Sequence, residues 1–221
     1  MSAESNTSEV ADPGPVTADD VAHAVELTVT ALRPALDADW DVPAGPLEWT
    51  CWETGEHLAD DLFSYAGRIG SLHPSTQSHE PYGWAKRRPE GPANTITADR
   101  EFGPAGLLEV LEACGGLLVA VVRSTPSTAR GYHVFGVSDP EGFAAMGVVE
   151  TLLHAHDMAQ GLGVEFEAPA GLCARALHRL FPDAPAGSEP WPTLLWATGR
   201  GELPGRERVG KWRWYGAPRA T

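Results

Sequence analysis

The sequence predicts a mainly α protein, a small bundle of amphipathic helices, and three observations carry that reading. Apolar residues recur at helical spacing in four long stretches. Two of these stretches open on a Thr followed three residues later by an acid, which is the spacing of a capping box. Pro and Gly then punctuate the ends. A chain of 221 residues suits one well-buried core, and a charged fraction of only 21% with eight Trp argues against global disorder.

The first helix follows Thr17 and Asp20 and runs through Val21, Val25, Val29, Leu32 and Leu36. Pro43, Gly45 and Pro46 interrupt before Thr50 and Glu53 cap a second helix, with His57 among Leu58, Leu62, Tyr65 and Ile69. From His73 to Gly103 the chain is polar and irregular, too long for a plain connection and so a candidate lid or binding element. Pro104 suits the first position of a third helix, whose apolar content through Val122 predicts burial on several sides. A fourth runs from about Pro140 to Gln160 and stops at Gly161-Leu162-Gly163. Shorter helical segments lie around Gly171 to Phe181 and Trp191 to Thr198. The expected organisation is a solvated tail over 1–15, a bundle over 16–165 and an extension over 166–221 packed on it.

The formal net charge of -14 would repel a phosphate backbone, which argues against nucleic acid as a partner. The longest near-continuous apolar run, Cys114 to Val122, falls short of the roughly 20 residues that span a bilayer, so no membrane segment is expected. The N-terminus lacks the basic start and apolar core of a secretion signal, and the expected location is the cytoplasm. Cys51, Cys114 and Cys173 form no C-x-x-C pair and suggest neither a disulfide framework nor a thiolate metal site. The use of 14 Arg against two Lys, with abundant Ala, Gly and Pro, fits a GC-rich, actinobacterial source.

Glu150 and His154 stand four residues apart on the fourth helix, so their side chains share a face and can grip one ion. An exposed pair or a satisfied core histidine has the same spacing. Asp157 continues the stripe, whereas His156 points away from it. Flanking Val148, Val149, Leu152 and Leu153 place the turn partly in the core, where a charged Glu needs a cation or a hydrogen-bonding partner.

Three stretches together resemble the DinB-like helical bundles, particularly the metal-binding domain of mycothiol-dependent maleylpyruvate isomerase. Trp49-Thr50 leads into a helix with His57-Leu58; ETLLHAHD aligns Glu150, His154 and Asp157 with an E-x-x-x-H-x-x-D signature; and LLWATGR, Leu194 to Arg200, is similar to a Leu-rich block after the bundle. The resemblance implies a four-helix bundle with a short C-terminal extension, holding one divalent metal on His57, Glu150 and His154. It departs from DinB-like proteins with three histidines, and from the isomerase in having only a short stretch after the bundle.

Two imidazoles and one carboxylate leave positions open for water or substrate. Zinc is the first expectation, with nickel, iron or manganese also suited to these donors. By resemblance, the ion activates a low-molecular-weight thiol such as mycothiol for transfer to, or isomerisation of, a small electrophile. Asp157 would hold a ligand imidazole by its second nitrogen. Arg87 and Tyr82 on the long loop, and Arg200 in the basic C-terminal stretch, are candidate substrate contacts. That stretch, 199–221, carries +4 against -18 for the rest, and strapping across the acidic body is the alternative use for it. A hydrolase using metal-activated water, an iron oxygenase and a non-catalytic bundle are the competing readings. The partners expected are a small-molecule substrate and a thiol, with the protein a monomer or homodimer.

Overall fold

The computed structural model describes residues 12–218 and is mainly helical. Most of the predicted tail lies outside the described residues; those at 12–15 lead into Val16, which is already buried. Six helices follow: α1 (Ala18–Leu32), α2 (Cys51–Gly70), α3 (Gly103–Ser124), α4 (Pro140–Leu162), α5 (Ala170–Leu180) and α6 (Pro190–Ala197). The long segment between α2 and α3 carries an antiparallel pair, β1 (Ala85–Lys86) and β2 (Ala93–Asn94), with Ala85 opposite Asn94.

Local chemistry sets these boundaries. Both predicted capping boxes form, Thr17 with Asp20 and Thr50 with Glu53, so the first backbone N–H groups of α1 and α2 are satisfied within the chain. Pro34 lacks the N–H that would continue α1, which ends at Leu32 and passes into a 3-10 turn before the predicted Leu36. Asp139 caps α4 by accepting from the Gly142 N–H, and Gly163, with φ of 69°, closes the other end in the left-handed conformation that glycine adopts freely.

Helices α3 and α4 each pack against both α1 and α2. The central member is α4: Phe143, Met146, Leu152, Leu153 and Met158 are fully buried, and residues all around its circumference are covered. A Cβ at Gly147 would come within 2.6 Å of the Leu118 side chain, so a residue without one lets α3 approach α4 closely. Burial on several sides, predicted for the third helix, therefore belongs to the fourth. Helix α3 buries only one face, through residues such as Leu107, Leu111 and Leu118, and leaves Leu117 50% exposed.

With the turn that precedes it, α3 forms a stretch, Arg100–Ser124, long and apolar enough to cross a membrane by length and composition, with a third of its most apolar window buried. The run from Cys114 to Val122 understates this stretch, because Glu109 and Glu112 interrupt the run but not the helix.

The core continues without a break from the long helices into α5, which packs on α4, and α6, which packs on α5. The last described residues return to the body. Trp214 is buried, the Tyr215 N–H donates to Leu180 O, and the Ser138 hydroxyl donates to Gly216 O at 2.6 Å.

Candidate metal centre

The antiparallel contact of α2 with α4 brings His57 against His154, their ring centroids 5.6 Å apart. One turn along α2, Asp61 lies with Oδ2 3.4 Å from His57 Nε2. One turn back along α4, Glu150 lies with Oε2 3.2 Å from His154 Nε2. One ligand atom each from His57, Asp61 and His154 falls within 4.8 Å of the others. Two helices thus deliver an imidazole and a carboxylate each at i and i+4 spacing, and both Nε2 atoms stand beside a carboxylate.

The outer nitrogens are held by the rest of the fold. His57 Nδ1 lies 3.4 Å from Oδ1 of Asn94, a buried residue of β2. Asn94 Oδ1 can accept from an N–H there, the tautomer that leaves Nε2 with its lone pair. His154 Nδ1 lies 3.5 Å from Asp157 Oδ2, close enough for ionic attraction but without a well-formed hydrogen bond. Arg200 grips Asp157 in turn, its Nη2 2.7 Å from Oδ2 and its Nε 3.0 Å from Oδ1.

Burial pushes the Asp61 carboxyl up to about 6; the His57 imidazole opposes that shift and the Glu150 charge adds to it. For His154 burial acts against the cation, yet Asp157 and Glu150 outweigh it and hold the ring up to about 9. The Glu150 and Asp157 carboxyls sit below their ordinary range: burial opposes their ionisation, and His154, aided by Arg200, overcomes it. The metal-free chain therefore stabilises a proton on His154 among three acids.

This donor set fits a divalent cation. Both Nε2 atoms face a carboxylate oxygen, and the Glu150 charge is near enough to act on Asp61. A cation accepting from both Nε2 atoms and a carboxylate would replace the proton and relieve the like-charge contact.

The other expected contacts fall differently. Arg87 is engaged by Glu56, with Nη2–Oε1 2.6 Å, and also donates to Ala98 O. Tyr82 stacks on Phe63 at 5.4 Å and lies over Gly67, beside α3. Arg200 stands behind His154 through Asp157 and binds within the chain. His156 turns away, to Gln160 and the Trp191 ring, as the helical period requires. Asp61 and Asn94 were not foreseen: Asp61 repeats the i, i+4 logic of Glu150 and His154, while Asn94 arrives from a loop whose path no local pattern reveals.

No family model, curated protein or solved structure matches the chain.

Proposed function

We propose that the protein is a metal-dependent enzyme on a DinB-like four-helix bundle, holding one divalent ion with His57, Glu150 and His154. In this reading it activates a low-molecular-weight thiol for transfer to, or isomerisation of, a small electrophile. The observation that carries it is the meeting of two imidazoles from separate helices, each with its Nε2 beside a carboxylate and its Nδ1 held from behind. Asp61 is the carboxylate that groups with both imidazoles within 4.8 Å, an oxygen donor beyond those the sequence implied, whereas Glu150 is placed by its contact with His154.

A bound divalent ion lowers the pKa of a thiol or water that it coordinates and so supplies a nucleophile near neutral pH. The chain's own residues do the rest. Asn94 and Asp157 orient the two rings, and Arg200 keeps Asp157 ionised and in place. The Trp49 ring packs edge-to-face with His57, centroids 4.8 Å apart, on one side of the site.

Metal content of the purified protein and of its His154→Ala form, followed by thiol addition to 1-chloro-2,4-dinitrobenzene, tests the reading. The expected result is about one zinc-class ion per chain in the wild type, far less in the variant, and a thiol-dependent rate that falls with the metal. Equal metal in both forms would sink the centre. Turnover of esters without thiol would move the assignment to a hydrolase.

A further inference from the structure

Helix α3 turns one face to solvent, and the composition of that face is unusual for a free surface. Only a third of its most apolar window is buried. Phe102, at its N-cap, and Leu117, near its middle, stand 71% and 50% exposed, and Ala113, Gly116 and Ala120 are exposed on the same side. Residues seven apart fall almost on one line of a helix, so Glu109, Gly116 and Arg123 run down the centre of this face.

Gly116 has no role in the packing of a single chain. Glycine inside a helix is less favourable than alanine unless a close neighbour excludes a Cβ. At Gly115 a Cβ would come within 2.8 Å of the Val25 side chain, so that glycine serves the contact of α1 with α3. At Gly116 a Cβ would meet nothing within 4 Å. A glycine there lets another backbone approach α3 from outside. Beside it the surface sinks into a groove of about 500 Å³ between α1 and α3, lined by residues that include Val25, Val29, Gly116 and Val119.

The charges on this face select the partner. Glu109 and Glu112 are exposed in its first half, and Arg123 near its end. Glu109 has no ion-pair partner among the described residues. Arg123 reaches Asp19 of α1, but their side chains are 62% and 85% exposed, and such a pair holds little. Gly116 lies midway between Glu109 and Arg123. When a second α3 packs antiparallel with its Gly116 against the first, Glu109 of each copy stands opposite Arg123 of the other, and the two Leu117 side chains meet. Within one chain the two charges are about 21 Å apart along the helix axis and do not pair. A bilayer covering the same face would have to take in Glu109, Glu112 and Arg123, each at a high cost.

We propose that the exposed face of α3 is the interface of a homodimer, in which a two-fold axis brings the α3 helices together antiparallel at Gly116. Each copy contributes the same patch, acidic in one half and basic at the other end, with Ala113, Gly116 and Ala120 between. Small residues at the crossing let the helices approach closely, and Val119 of each copy lies over the α1–α3 groove of the other. The candidate metal centre lies between α2 and α4, so this contact does not depend on the function proposed above.

Sedimentation equilibrium of the full chain over a concentration series tests the interface, with helical circular dichroism recorded on each sample. The expected result is a reversible dimer. Gly116→Leu, whose side chain has open space in a single copy, should weaken dimerisation roughly tenfold or more while the helical signal is kept. Glu109→Arg and Arg123→Glu should each weaken it several-fold. The double variant should recover most of that loss, because the reversed charges again face each other across the axis. Asp19→Asn, which releases Arg123 from its partner within the chain, should leave the dimer at least as tight. A chain that stays monomeric up to millimolar concentration overturns the proposal, and its pelleting with phosphatidylcholine vesicles would give the face to a membrane instead. A dimer as tight in Gly116→Leu as in the wild type overturns it by placing the interface elsewhere. A double variant weaker than either single variant overturns the antiparallel register.

Discussion

Two faces of α2 carry carboxylates, and the fold treats them in opposite ways. On the face toward the long loop, Glu53, Glu56 and Asp60 are buried, and each is answered from within the chain. Glu53 takes Arg88, Glu56 takes Arg87 and the Ala98 N–H, and Asp60 accepts from the N–H groups of Thr95 and Ile96. On the face toward α4, Asp61 meets Glu150 across the gap and has two imidazoles for company. Buried charge answered by arginine or backbone is a way of fastening a loop. Buried charge facing more of the same sign, with ring nitrogens alongside, is a way of holding a cation. The first face is answered from within the chain, and the second is the one that a cation would complete.

That contrast breaks if metal has no effect on stability. Zinc at a thousandfold excess over its dissociation constant should stabilise the native chain by about 4 kcal/mol, read as a higher melting temperature that a chelator reverses. An unchanged melting temperature would place both faces in the same structural class. The loop face gives the complementary expectation. Glu56→Ala leaves the Arg87 guanidinium and the Ala98 N–H without their acceptor and should cost about 3 kcal/mol, the lower end for a broken buried pair because Arg87 keeps a solvated edge. The loss should be the same with and without zinc, since this face lies away from the candidate metal centre.

A neutral histidine sharpens the comparison further. Burial, then the Arg68 charge, holds His133 down to about 4, whereas an unfolded imidazole titrates near 6.5. The unfolded chain therefore binds more protons between those values, so His133 contributes stability above about 6.5 that is lost as pH falls toward 4. Between pH 7 and 5 the loss is about 2 kcal/mol, and His133→Gln should remove that component from the urea-unfolding profile. A profile of unchanged slope in the variant would show that His133 is not buried neutral.

The supporting residues come next in size. Arg200→Met frees Asp157 from its clamp and should weaken zinc binding about tenfold, as loss of a group that orients a ligand ring commonly does. Competition with a metal-sensitive dye would read it. Full affinity in the variant would return Arg200 to the pool of substrate contacts.

Much of the fold was legible in the sequence because capping is local chemistry. Thr17 with Asp20, Thr50 with Glu53 and Gly163 mark helix ends by interactions within a few residues. Which apolar helix becomes the centre is a tertiary outcome: α3 is as apolar as α4, yet α4 is surrounded and α3 shows one side to solvent. The site divides in the same way. Glu150, His154 and Asp157 share one helical stripe and could be read together, and Asp61 was available by the same spacing from His57. Arg87 and Arg200 could be recognised as cations, but the carboxylates that take them, Glu56 and Asp157, come from 31 and 43 residues away in sequence. A positive charge is visible in a sequence, whereas its acceptor is not.

The smallest effect is also the most discriminating, because its sign differs between the two faces. Asp61→Asn keeps the size of the side chain and removes one of two like charges beside the imidazoles. In the metal-free chain, relief of the burial cost of the Asp61 charge, helped by the lost repulsion from Glu150, should outweigh the lost attraction to His57 and His154. The variant should be more stable than wild type at pH 7 by about 1 kcal/mol. The same substitution should lower zinc affinity, since an amide oxygen is a weaker donor than a carboxylate. Stability up and affinity down is the pattern of a residue kept for a cation. Asp60→Asn, one position away, should instead lose stability with little change in zinc affinity, because its carboxylate satisfies two backbone N–H groups of the loop. If both variants lost stability alike in the absence of metal, the α4-facing carboxylate would be one more structural anchor and the division between the faces would disappear.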